Sequence, residues 1–176
     1  MKITTIAVFF IFLAVPAFAA DEKIDPATYI CAELVASSID GQPPIYEGLQ
    51  LDGYAAAKSG AVVADSETLN DMLLAVTDSC SPKPAEKALE HWQSLRENFP
   101  VPDDGPWRAD KTLCSAYVAN PDDASGFIIW LDAYNRGKTG KNASVFGDQA
   151  TLDHFLEACR QNPDRLIIDV LAENAK

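Results

Sequence analysis

The stretch LDGYAAAKSG, residues 51–60, returns eighty positions later as LDAYNRGKTG, residues 131–140. Each copy sets a leucine and a tyrosine three apart, the spacing that shares one face of a helix. Each closes on Lys-Ser/Thr-Gly, where glycine supplies the left-handed residue that stops a helix and lysine sits near the negative end of the dipole. The phrase therefore reads as a helix written twice, with Leu51 and Tyr54 in one copy and Leu131 and Tyr134 in the other facing inward. Asp52 and Asp132 repeat beside those leucines, and one acidic residue per copy reads as an exposed face.

Working outward, the four cysteines obey the same duplication. YICAELV around Cys31 matches TLCSAYV around Cys114, and SCSPKP at Cys80 matches ACRQNP at Cys159, with proline four residues after the second cysteine of each half. Four cysteines permit three pairings, and the repeat selects Cys31 with Cys80 and Cys114 with Cys159, one staple per copy. A bridge closing a loop of about 50 residues contributes up to roughly 4 kcal/mol in the chain-entropy model, the help a small helical domain needs. Metal binding is the competing use of cysteine. No C-x2-C pair is present, and His91 and His154 stand far from any cysteine pair in sequence, so no metal and no cofactor is expected.

Apolar spacing points to helices throughout, hence to an all-α fold of two tandem small domains, each with one disulfide. Asp25-Pro26 opens a helix through Cys31, Pro44 opens the first copy of the phrase, Asp65 or Ser66 caps a third helix and Pro84 starts a fourth. In the fourth, Leu89, Trp92 and Leu95 form one stripe. The second half follows with caps at Asp110 and Asp148 and a last helix from Pro163. Between the halves, FPVPDDGPWRA at 99–109 carries three prolines and a glycine and reads as a linker. The domains are thus 20–98 and 110–176.

The chain begins MKITTIAVFFIFLAVPAFAA, a lysine, an apolar run and a small-x-small site ending at Ala19. That pattern is a secretory signal peptide over 1–19; the alternative, an uncleaved anchor, is the weaker fit. No cysteine follows the run, so no lipid anchor is expected, and no later segment suggests stable membrane association. Residues 20–176 keep all 26 acidic residues and 13 of the 14 basic ones, a formal net charge of −13 that repels nucleic acid. With every carboxylate protonated and both histidines charged, the total becomes +15.

The order of elements resembles the HdeA/HdeB family of periplasmic acid-stress chaperones. It runs from a cysteine in a short apolar helix, through an L-x-G-Y-like helix ending in glycine and an acid-capped helix, to a second cysteine, N-P or its equivalent and an apolar helix. The match covers about residues 26–98 and 110–175, as two fused copies, with FIIWLDAY and ACRQNP making the second the closer. The resemblance implies small all-helical domains that pair at neutral pH, loosen in strong acid and hold unfolded periplasmic proteins in solution. It implies that the bridges keep each loosened domain from opening fully, and that Tyr54, Leu89, Trp92, Leu95, Trp130 and Tyr134 contact the client. The two copies would pack as a dimer's two chains do, with 46–54 facing 127–134, leaving a monomer.

RGKTGK at 136–141 fails as a phosphate loop, because the first glycine of that motif would fall at Asp132. Trp92, Trp107 and Trp130 read as core or linker packing. His91 and His154 lack an evident Ser or Cys partner, so no catalytic set and no enzyme is expected. The competing class is a secreted partner-specific binder, such as a periplasmic toxin-immunity protein.

Overall fold

The computed structural model describes residues 23–38, 42–101, 104–120 and 124–176; the expected leader, 1–19, lies outside them. Among the described residues eight α-helices follow one another: α1 Cys31–Ala36, α2 Ile45–Ser59, α3 Leu69–Cys80, α4 Ala88–Leu95, α5 Cys114–Ala119, α6 Ser125–Thr139, α7 Gln149–Gln161 and α8 Ile167–Asn174. A 3-10 turn, Arg96–Asn98, extends α4. Among the described residues there is no strand, only three isolated bridges.

Those bridges explain why several helices begin later than the sequence suggests. The N–H of Cys31 donates to the carbonyl of Glu86 at 2.8 Å and that of Ala88 to Tyr29 at 3.0 Å. The second half repeats the exchange, Cys114 to Arg165 at 2.9 Å and Ile167 to Thr112 at 3.0 Å. Pro26, Pro84 and Pro163 open turns instead of helices, and these bonds hold Ile30, Lys87, Leu113 and Leu166 extended and satisfy the first free N–H groups of α1, α4, α5 and α8. Asp25 instead closes a turn, accepting from the Ala27 N–H and the Thr28 hydroxyl, both at 3.1 Å. Asp65 accepts from the N–H of Glu67 and the hydroxyl of Thr68, so α3 starts at Leu69. Asp110 caps no helix, because Arg108 holds its carboxylate from Nε at 2.9 Å and Nη2 at 3.0 Å. Asp148 is a true cap of α7, accepting from the Thr151 N–H at 2.7 Å. Both copies of the repeated phrase stop on left-handed glycine, Gly60 with φ 83° and Gly140 with φ 68°.

Disulfides join Cys31 to Cys80, tying α1 to α3, and Cys114 to Cys159, tying α5 to α7. All four cysteines are buried within one of two apolar clusters. The first is built from α1 to α4, with Leu34, Leu51, Met72, Leu73, Val76 and Trp92 at its centre. The second is built from α5 to α8, with Leu131, Phe155, Ile167 and Leu171, and takes in Ala56 of α2. Leu49 packs against both. Within the proline-rich stretch, Trp107 and Ala109 pair their backbones with Ala64 and Val62 at 3.0 and 2.8 Å, laying this segment against the α2–α3 loop.

Candidate functional site at the α2–α6 seam

The two helices that carry the repeated phrase make the most extensive helix–helix contact among the described residues. Leu49 lies beside Gly126, Gly53 beside Trp130 and Ala57 beside Gly137, so the positions climb together and the helices run in the same direction. Small residues set the approach: a Cβ on Gly53 would come within 2.1 Å of the Trp130 carbonyl oxygen, and one on Gly137 within 2.9 Å of the Tyr54 carbonyl oxygen. Only glycine lets the backbones come so near.

Asp52 and Asp132, expected on an exposed face, are instead buried in this seam at 2 % and 1 % exposure. The reason is that each finds internal partners. Asp52 accepts the indole N–H of Trp92 at 3.0 Å and of Trp130 at 2.9 Å, one from each half, and pairs with Arg96 at 3.4 Å. Asp132 accepts from the Ser144 hydroxyl and the Val145 N–H, both at 2.9 Å. Arg136 lies one turn on, its Nε 3.2 Å from Asp132 Oδ2, a charge contact whose angle falls short of a hydrogen bond. From there Arg136 donates across the seam to the Ile24 carbonyl at 2.7 Å and to Gln50 Oε1 at 3.0 Å. Two polar latches therefore reach across the seam, Asp52 to Trp130 and Arg136 to Gln50. A cavity of about 120 Å³ adjoins the first, with Asp52, Ala55 and Arg96 in its wall.

Burial pushes the Asp52 carboxyl above its usual range, against the opposing pull of Arg96 and the two indoles. Burial likewise pushes Asp132 up, with Arg136 pulling it back. The surface carboxylates shift the other way. The Lys83 hydrogen bond, aided by His91, holds Glu86 down; Arg108 does so for Asp110, the Thr151 N–H for Asp148, Gln161 with Arg160 for Glu157, and Arg165 for Glu173.

The six residues named as client contacts fall in two places. Trp130 and Tyr134 are buried in α6, inside a stack that runs Trp107, Phe127, Trp130, Tyr134 with ring centroids 5.3, 6.1 and 5.1 Å apart. Tyr54 is half-buried on α2, with the Lys58 ammonium 5.2 Å from its ring. The other three belong to α4: Trp92 is fully buried, and Leu89 and Leu95 are half-buried against the first cluster.

His91 corrects the sequence reading of an unpartnered histidine. It is buried, with Nδ1 2.7 Å from the Ser79 hydroxyl and Nε2 2.9 Å from Glu86 Oε2. The fold also brings it to the first disulfide: the ligating atoms of Cys31, Cys80 and His91 lie within 4.8 Å of one another. Sequence distance hid both facts, since α4 returns to the end of α3 only through the turn at 81–87. No family model, curated protein or solved structure matches the chain.

Proposed function

We propose that the chain is two tandem HdeA-like domains, 20–98 and 110–176 about a linker at 99–109, acting as a periplasmic acid-activated holdase with no enzymatic cycle. The observation that carries this reading is the division of its carboxylates. Those held below their usual range lie at the surface, at Glu86 and Asp110 ahead of α4 and α5, Asp148 and Glu157 at the start and in the last turns of α7, and Glu173 on α8. Their stabilisation is present above the unfolded pKa and is lost as pH falls through the folded one. Asp52 and Asp132 have raised folded pKa values, so the seam gains stability as pH falls through those values.

Acid therefore withdraws support from the outer helices while the seam stays shut. The formal charge over 20–176 moves meanwhile from −13 toward +15, and repulsion grows. The loosened form is cationic, stapled by two disulfides and joined at the seam, and it uncovers Leu89 and Leu95 first, with Trp92 following once its bond to Asp52 opens. Tyr54, Trp130 and Tyr134 engage a client only after the seam itself yields. Because α2 and α6 cover each other within one chain, the protein is a monomer whose two copies mimic a dimer.

The test is light scattering of an unrelated periplasmic protein at about pH 2–3, where ordinary carboxylates are mostly protonated. Suppressed aggregation, reversed on neutralisation, is the expected result; unchanged aggregation refutes the holdase reading. The two latches, which hold the halves in one fixed arrangement, favour a second reading, a partner-specific binder such as an immunity protein. That reading requires a tight complex with a single protein at neutral pH.

A further inference from the structure

The repeat supplies an internal control for every residue around the two disulfides. The matched backbone bonds, Cys31 to Glu86 and Cys114 to Arg165, fix the register between the second parts of the copies at 79 residues. In that register Ser79, Glu86 and His91 correspond to Ala158, Arg165 and Val170. The second copy builds the same bridge in the same fold with a buried valine where the first has a buried histidine. The polar cluster at the first bridge is therefore not something the fold requires.

We propose that, once its disulfide is reduced, the first copy holds a thiophilic divalent cation such as Zn²⁺ on Cys31, Cys80 and His91, while the second copy does not. The donor set is two thiolates and an imidazole, the soft and borderline ligands that zinc takes in four-coordinate sites. Tetrahedral zinc keeps its ligand atoms about 3.3–3.8 Å apart, so after reduction the two sulfurs part from bonding distance while an imidazole nitrogen, already within 4.8 Å, draws in. The Cα atoms of the two cysteines are already 4.9 Å apart. Both imidazole nitrogens carry a hydrogen bond, Nδ1 to Ser79 and Nε2 to Glu86, so metal binding replaces one of them and the other, kept, orients the ring. Glu86, half-exposed, marks the solvent side, where water or its own carboxylate completes the fourth position.

The chemistry balances with a dithiol as reductant. The dithiol gives up two electrons and two protons and becomes a disulfide, the Cys31–Cys80 bond breaks, and two thiols form. Metal binding then releases both thiol protons to solvent. At the second bridge the same reduction gives two thiols, with Val170 in place of the histidine and no third ligand among the described residues. The inference does not depend on the holdase reading.

The full chain is reduced with a phosphine, freed of it by desalting under inert gas, then titrated anaerobically with Co²⁺ and with Zn²⁺. Expected is one equivalent per chain, with thiolate-to-cobalt charge-transfer bands and the visible bands of a tetrahedral ion, and none in the oxidised protein. C114S/C159S should bind as wild type does. H91V, the residue of the other copy, should weaken zinc at least about 100-fold, since even outer-shell partners are worth 10–100-fold. If H91V does not fold, H91C decides, because a third thiolate should restore tight binding. Two equivalents per chain, no tight equivalent, unweakened binding in folded H91V, or failure of H91C overturns the proposal.

Discussion

Replacing Gly53 with alanine puts a methyl group where the backbone of α6 already lies. The new Cβ would stand 2.1 Å from the Trp130 carbonyl oxygen, 2.9 Å from its carbon and 3.2 Å from the Trp130 Cα. None of those atoms belongs to a side chain that can swing away, so α2 and α6 must part by ~1 Å to reach ordinary contact. Parting them stretches the Asp52–Trp130 bond, 2.9 Å long, and thins the packing along the seam. Overpacking of this kind costs about 1–3 kcal/mol. Alanine's better helix propensity returns up to ~1 kcal/mol, and the rigidity of the opposing backbone puts the net loss near 2 kcal/mol. For a chain of this size that is a fall in melting temperature of roughly 4–8 °C. The assay is thermal and urea unfolding followed by circular dichroism and tryptophan fluorescence, with G126A alongside. A Cβ on Gly126 meets only Leu49 methyls at 3.6 and 3.9 Å, so that variant should match wild type or gain about 0.5–1 kcal/mol. If G53A melts with wild type or above it, the close-packed seam is refuted.

The D52N variant leaves Arg96 facing a neutral group and sets an amide N–H₂ against an indole N–H. We expect a loss of about 2–3 kcal/mol and a changed near-ultraviolet spectrum from Trp92 and Trp130; a spectrum and melt like wild type would contradict the latch. D148A removes the α7 cap, so it should melt below wild type at pH 7 and approach it as pH falls below the usual carboxylate range. A deficit that persists at pH 2 would refute the assigned direction of that shift. Removing either disulfide pair should cost up to about 4 kcal/mol, with C31A/C80A loosening mainly the amides of α1 and α3 and C114A/C159A those of α5 and α7. Loosening of the opposite half by NMR would contradict the separate clusters.

Helical character, the two bridges and both glycine stops were legible because each rests on local chemistry or on the repeat. Leu51 and Leu131 are buried as their spacing implied, whereas Tyr54 is only half-buried. The starts of α1, α4 and α8, later than Pro26, Pro84 and Pro163, were not legible, because backbone pairing between segments some 50 residues apart overrides the proline signal. The burial of Asp52 was hidden for a related reason: its partners Trp92 and Trp130 lie 40 and 78 residues away. One signal did point there, the return of aspartate beside a core leucine in both copies. The approach of His91 to Cys31, 60 residues back, was concealed in the same way, and its approach to Cys80 depends on the turn that brings α4 back to the end of α3.

The most direct test of the account is amide exchange, expressed as protection factors and read along a pH series from 7 to 2. Amides of α2 and α6 should stay protected throughout, while those of α4, α7 and α8 lose protection between about pH 5 and pH 2 and regain it on neutralisation. Seam amides that open before the outer helices, or a chain protected everywhere at pH 2, would contradict it.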